Sequence, residues 1–287
     1  MKIFFIILAI AALVVSALFV TIRLTKNSAN TNTTSTTTNT YTTTNQTTDS
    51  TVNTNTAAVQ TITWMETADG WQASGTPSAC PTVIQAPADL TTATSILYPG
   101  QTRGNDYKPH GGVRFDTNTT NEVSVHVPMS GDVVRGSRYL VDGEVQYMFD
   151  IITPCGLMVR LGHLRELSPT FAAIAQKFPA AVEGDSQTTR VDPPASVTAG
   201  DEVATKVGII KGHNTFFDFG VYNVLVKNAA SQNATYAATH DVTLAQHAIC
   251  WFSLMSTTDK AIISKLPAAD PTSGKKSDYC TPADLVY

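Results

Sequence analysis

The sequence predicts a mainly β domain, an antiparallel sandwich or barrel-like sheet with a small helical extension at its C-terminus. Short alternating runs lie between turn signals at Glu122 to Pro128, Gly131 to Arg135, Val145 to Thr153, Leu157 to Gly162, Val203 to Ile210 and Thr215 to Leu225. Strands at this spacing pack as an antiparallel sheet. Helical periodicity is confined to about Pro169 to Phe178, where Phe171, Ile174, Ala175 and Phe178 share a face, and to the C-terminal region. A chain of 287 residues holds one sizeable domain plus appendages.

Ile3 to Ile22 is almost uninterrupted apolar sequence, long enough to cross a bilayer as a helix. It reads equally as a signal peptide, with Val15-Ser16-Ala17 as a small-residue cleavage site. Lys2 precedes it and Arg23 and Lys26 follow, so the positive-inside count does not orient it. Residues 1–24 are therefore an anchor or a signal. Residues 25–58 are nearly all Thr, Asn and Ser, and such a segment buries too little surface to offset the entropy of ordering, so it reads as a disordered stalk. The sequons at Asn32, Asn45, Asn118 and Asn233 carry little weight in so Thr- and Asn-rich a chain. Anchor, hydroxyl-rich stalk and folded domain make the layout of a membrane-anchored cell-surface protein, or of a secreted one if the first segment is cleaved. A net charge of −4 and a pI near 5.8 argue against a nucleic-acid partner.

Cys80, Cys155, Cys250 and Cys280 show no Cys-x-x-Cys spacing, which argues against a zinc-finger site. Of the three possible pairings, Cys250 with Cys280 would staple a C-terminal extension; free buried thiols are the alternative. The lead-in from Thr61 to Leu97, with Trp64 and Trp71 near Gly70 and Gly75, reads as short strands and turns without chemistry.

The chemistry is concentrated in two stretches. In Lys108 to Asp116, alternation places His110, Gly112, Arg114 and Asp116 on one strand face and Val113 and Phe115 on the other. In Phe216 to Val221, Phe216, Asp218 and Gly220 share a face while Phe217, Phe219 and Val221 turn away. Polar groups gathered on apolar strands need each other, a metal or water, because an unpaired buried charge is costly.

The order of these motifs resembles that of the lysostaphin/LytM-type zinc endopeptidases, which cut peptide cross-links in bacterial cell walls and share the all-β duplicated hybrid motif. His110-Gly111-Gly112-Val113-Arg114 stands where the family has His-x-Gly-x-Asp, and Pro128-Met129-Ser130-Gly131-Asp132-Val133 where it has Pro-x-x-Gly-x-Val. Leu161-Gly162-His163-Leu164 matches Tyr-x-His-Leu, and Val197 to Val203 matches Val-x-x-Gly-Asp-x-Val. Phe216-Phe217-Asp218-Phe219-Gly220-Val221 matches the closing His-Leu-His-Phe-Glu-Val strand. The resemblance spans Tyr98 to Val224 and implies a LytM-like β domain over residues 59–226.

Carried over position by position, the resemblance keeps one zinc ligand as His110 and replaces the others by Arg114 and Asp218. Of the two residues that assist the metal-bound water, it keeps His163 and replaces the other by Phe216. An arginine is always charged and has no lone pair to offer a metal. The expectation is a peptidase fold without a cofactor, in which Arg114 and Asp218 form an ion pair in the vacated metal position. Losing one partner of such a pair, if buried, would cost roughly 3–5 kcal/mol. His110, Arg114, Asp116, His163, Phe216 and Asp218 would then line a binding groove for a cell-envelope polymer or an envelope protein. The alternative is a divergent zinc metalloendopeptidase with a displaced site of His110, Asp116 and Asp218 and with His163 as base.

Two additions extend this frame. Arg165 to Ser196 leaves from beside the site, with a polar, Pro-containing loop at Glu183 to Pro194 that would cover or reshape the groove. Residues 227–287 contain an apolar run, His247 to Leu254, that reads as a helix, and should pack on the sheet as a C-terminal extension.

Overall fold

In the computed structural model the described residues are 61–68, 70–240 and 242–285. The expected anchor (1–24) and stalk (25–58) lie outside them, and among the described residues no helix is long and apolar enough to cross a membrane.

The alternating runs form a mainly β structure with few helices. In chain order the strands are β1 (Trp64–Thr67), β2 (Gly70–Ala73), β3 (Ser95–Leu97), β4 (Gln101–Arg103), β5 (Asp106–Lys108), β6 (Gly111–Arg114) and β7 (Glu122–His126). Then come β8 (Gly131–Val141), β9 (Glu144–Ile152), β10 (Leu157–Leu164), helix α1 (Pro169–Ala175), β11 (Thr189–Val197), β12 (Glu202–Lys206) and β13 (Phe216–Asn223). Two further short helices, α2 (Ala234–Thr239) and α3 (Thr257–Ile263), follow. Seven strands make one antiparallel sheet in the order β11-β8-β9-β10-β13-β6-β3, while β1–β2, β4–β5 and β7–β12 pair separately.

One face of the large sheet is the main core. Val113 and Phe115 from the β6 stretch and Phe217, Phe219 and Val221 from β13 are buried there with Leu161, Leu164, Phe149 and Phe171. The C-terminal extension supplies Trp251, Phe252, Met255 and Ile263 to the same cluster. Cys250–Cys280 closes the extension as expected, and Cys80–Cys155 ties the lead-in to the β9–β10 turn.

Three expectations are corrected. The strand from Gly131 runs on to Val141 and turns back through Asp142-Gly143, both at positive φ (53° and 75°), the two-residue turn whose twist suits a hairpin. Half of the expected loop Glu183 to Pro194 belongs to β11. Pro193 and Pro194 are tolerated because β11 is an edge strand whose register shifts between Arg190 and Ala195. The apolar run His247 to Leu254 is not an α-helix. Bonds from Asn223 N to His247 O (2.9 Å) and from Ile249 N to Val221 O (2.9 Å) hold its first part against β13, and only Trp251–Leu254 winds into a 3-10 turn.

Candidate functional site

β13 lies between β10 and β6. Asp218 is opposite Gly112 on one side and Gly162 on the other. Both neighbours lack a side chain, and a Cβ on Gly162 would stand 3.3 Å from that of Asp218. Asp218 therefore sits over a gap that only glycine leaves. Two residues along the same strand a Cβ on Gly220 would meet that of His110 at 2.9 Å.

His163 reaches this face by a break in alternation. Leu161 and Leu164 are both fully buried although three residues apart, so the strand must carry an extra residue. It does so in a bulge between them, with His163 at φ 58°. A non-glycine residue in this region is held there by its surroundings. Here His163 N donates to Tyr139 Oη (3.1 Å), and Gly208 N donates to His163 O (2.8 Å).

Two imidazoles converge on one oxygen of Asp218. His110 Nε2 lies 3.2 Å and His163 Nε2 3.3 Å from Asp218 Oδ2. His163 Nδ1 lies 2.5 Å from Gln146 Oε1, and Gln146 Nε2 donates to Gly208 O (3.0 Å), which fixes the amide so that its oxygen faces the ring. His110 Nδ1 is buried and has no hydrogen-bond partner among the described residues. Burial would raise the Asp218 carboxyl, but the two imidazoles, by charge and hydrogen bond, hold it well below the carboxylate range. Burial lowers the pKa of His110; Asp218 opposes that shift, while Arg103 and Arg160 reinforce it.

The expected Arg114–Asp218 pair does not form. Arg114 binds Asp116 instead, Nη2 to Oδ1 at 2.6 Å and Nε to Oδ1 at 3.0 Å, with its guanidinium 5.8 Å from the centre of the Phe216 ring. The reason is register: Arg114 is opposite Phe216, a strand step away from Asp218, whereas Asp116 is two residues along on its own face. With side chains 26% and 44% exposed, the pair contributes at most about 1 kcal/mol, not the larger figure a buried pair would carry. Asp116 also accepts from Thr94 Oγ1 (2.8 Å) and does not line the pocket. The displaced set of His110, Asp116 and Asp218 is therefore not brought together. Phe216 covers His163, with ring centroids 4.4 Å apart.

The site opens into a cavity of about 380 Å³ whose walls include Arg103, Lys108, Tyr139 and Arg160. Sequence reasoning missed these, though Arg160 shares strand parity with Gly162. Gly184 and Ser186 of the Arg165 to Ser196 insertion also line it. The insertion is pinned by Glu183, whose carboxylate accepts from Asp142 N (2.8 Å) and Gly143 N (3.1 Å).

No family model matches the chain. No curated protein matches it either. Among solved structures it is similar to Helicobacter pylori Csd3 from an orthorhombic crystal, at 12% identity and a TM-score of 0.31, over 70% of this chain and 45% of that one. The chain thus spans less than half of that protein's length, and the likeness is too slight to carry an argument.

The donor set does not fit the zinc that the sequence resemblance implies. One ligand position is Arg114, which carries a fixed positive charge and is turned towards Asp116. The remaining His110 and His163 turn their Nε2 atoms onto the Asp218 carboxylate, and no cluster of three or more His, Cys, Asp or Glu among the described residues is arranged to hold a metal ion.

The pKa directions predict a pH dependence. An unfolded histidine titrates near about 6.5, so below that value the unfolded chain takes up a proton that buried His110 resists, and stability falls as pH falls. Asp218 acts lower: its depressed pKa contributes stability that is present above about pH 4 and lost as pH drops through its folded value. Denaturation curves between about pH 4.5 and 7 should show His110→Gln flattening the upper limb. An unchanged slope would assign that limb to another group.

Proposed function

We propose that this chain displays, at the cell surface, a LytM-like domain that binds a peptide-bearing polymer of the cell envelope without cleaving it. One observation carries the reading: His110 and His163 close on the Asp218 carboxylate while the guanidinium at the remaining ligand position is engaged by Asp116. Hydrolysis in the resembled family depends on a Lewis acid that activates water, and these residues offer it no ligand set. What they do offer is a walled pocket, largely apolar with a few charged side chains, on a seven-stranded sheet, which is the form of a binding site. The tether at residues 1–24 and the stalk at 25–58 belong to the same proposal, as the means of holding the domain at the surface.

The test is the zinc content, by elemental mass spectrometry, of protein purified without chelator and then supplied with zinc, combined with co-sedimentation on purified envelope polymer. Zinc far below one ion per chain, with polymer retained and uncut, is the expected result. Near-stoichiometric zinc with release of peptide fragments would overturn it in favour of a divergent zinc metalloendopeptidase using His163 as base.

A further inference from the structure

We propose that the pocket takes a peptide carboxylate, and that Arg103 is the residue that binds it. The inference rests on the reading of this cavity as a binding site. It comes from an imbalance in the pocket wall. Arg160 is matched by Asp150 through two bonds of 2.7 Å, Lys108 by Asp106 at 3.4 Å, and Asp218 by the two histidines. Arg103, half-buried in the same wall, has no ion-pair partner among the described residues.

Its bonds orient the guanidinium without neutralising it. Nη1 donates to Tyr98 O (2.6 Å) and Nη2 to His110 O (3.1 Å), and both acceptors are backbone carbonyls. They occupy two of the guanidinium's N–H donors and leave the others free. Burial lowers the pKa of Arg103, opposed only through space by Asp218 and Asp270. A fixed cation drawn partly out of water with no carboxylate in contact is costly, and a ligand that supplies that contact recovers part of the cost on binding. The guanidinium fork matches the two oxygens of a carboxylate.

Charge selects among anions. Among the described residues Arg103 is the one cation of the wall without a contacting carboxylate, while Asp218, though bonded to two histidines, still carries a negative charge in the same cavity. A singly charged carboxylate balances the first and is repelled least by the second; a phosphate with nearly two charges is repelled more. The bond from Arg103 to the His110 carbonyl ties this position to the backbone of the residue that holds Asp218. Asp218 and Ser186 of the inserted segment line the same cavity as Arg103, so they are candidates to meet the rest of a peptide whose carboxylate Arg103 holds.

The full chain is titrated with N-acetyl-alanyl-alanine, with its C-terminal amide, and with N-acetyl-glutamate amide, following binding by calorimetry. The free dipeptide should bind and its amide should not. Binding of the glutamate compound instead would place the carboxylate on a side chain rather than on a peptide end. Arg103→Met should weaken the preferred compound by at least about tenfold, the scale of a hydrogen bond to a charged group, and Arg103→Lys should lie between that variant and the parent. If Arg103→Met does not fold, the comparison of acid with amide on the unaltered chain decides alone. Equal binding of acid and amide, or binding of neither acid, overturns the proposal. Envelope polymer tested in parallel separates the two readings: retained polymer without dipeptide binding removes only the carboxylate anchor, and dipeptide binding without polymer removes only the envelope ligand.

Discussion

Asp150→Ala is expected to lower the stability of the domain by about 3–5 kcal/mol, the range found when one partner of a buried ion pair is removed. Asp150 is fully buried and the Arg160 side chain is 12% exposed. The two are directly opposite on β9 and β10 and meet through two parallel bonds, Nε to Oδ1 and Nη2 to Oδ2, each 2.7 Å. Without Asp150 the guanidinium is left beside the pocket with no carboxylate in contact, since Asp218 acts on it only through space and is already bonded to His110 and His163. The double exchange Asp150→Leu with Arg160→Met should recover most of the loss, since a well-packed apolar pair often substitutes for a buried ionic one. Urea denaturation of the three proteins checks this. A single-variant loss below about 1 kcal/mol would mean that water reaches Arg160 as it reaches a surface pair.

Alternation made the scaffold legible. It placed Val113, Phe115, Phe217 and Phe219 in the core and Asp218 on the opposite face, because one buried sheet face fixes strand parity over its whole length. It could not choose among partners on that face. Arg114 has the parity to meet either Asp116 or Asp218, and only register puts Phe216 opposite it. Parity also fails wherever the strand carries an extra residue. By strict counting His163 would turn into the core with Leu161; the trace of the bulge is the pair Leu161 and Leu164, both apolar at an odd separation. Asp142-Gly143 is a readable turn signal lying between the two alternating runs Gly131 to Arg135 and Val145 to Thr153. Arg103 carried no such signal, since its role depends on carbonyls at Tyr98 and His110 that no side-chain pattern encodes.

Trp251→Ala is expected to remove about 3–5 kcal/mol, as truncation of a large buried aromatic does, and to weaken ligand binding as well. Trp251 is fully buried, although it belongs to the C-terminal extension rather than to the sheet. Its ring meets Phe219 of β13 at 5.0 Å and Phe252 at 4.3 Å between centroids. It also approaches β6 so closely that a Cβ on Gly111 would lie 2.8 Å from its Nε1. Gly111 directly follows His110, and Phe219 directly follows Asp218, so the indole fills the space beneath the two strands that present the site. A cavity there lets both strands relax inwards, and the contact of 3.2 Å between His110 and Asp218 depends on their relative height. The expected outcome is a lowered urea midpoint together with weaker uptake of the preferred ligand in the fraction that remains folded. Lost stability with unchanged binding would confine the extension to holding the core. Unchanged stability would contradict the burial of the indole itself, because a cavity of that size is not closed without cost in a close-packed interior.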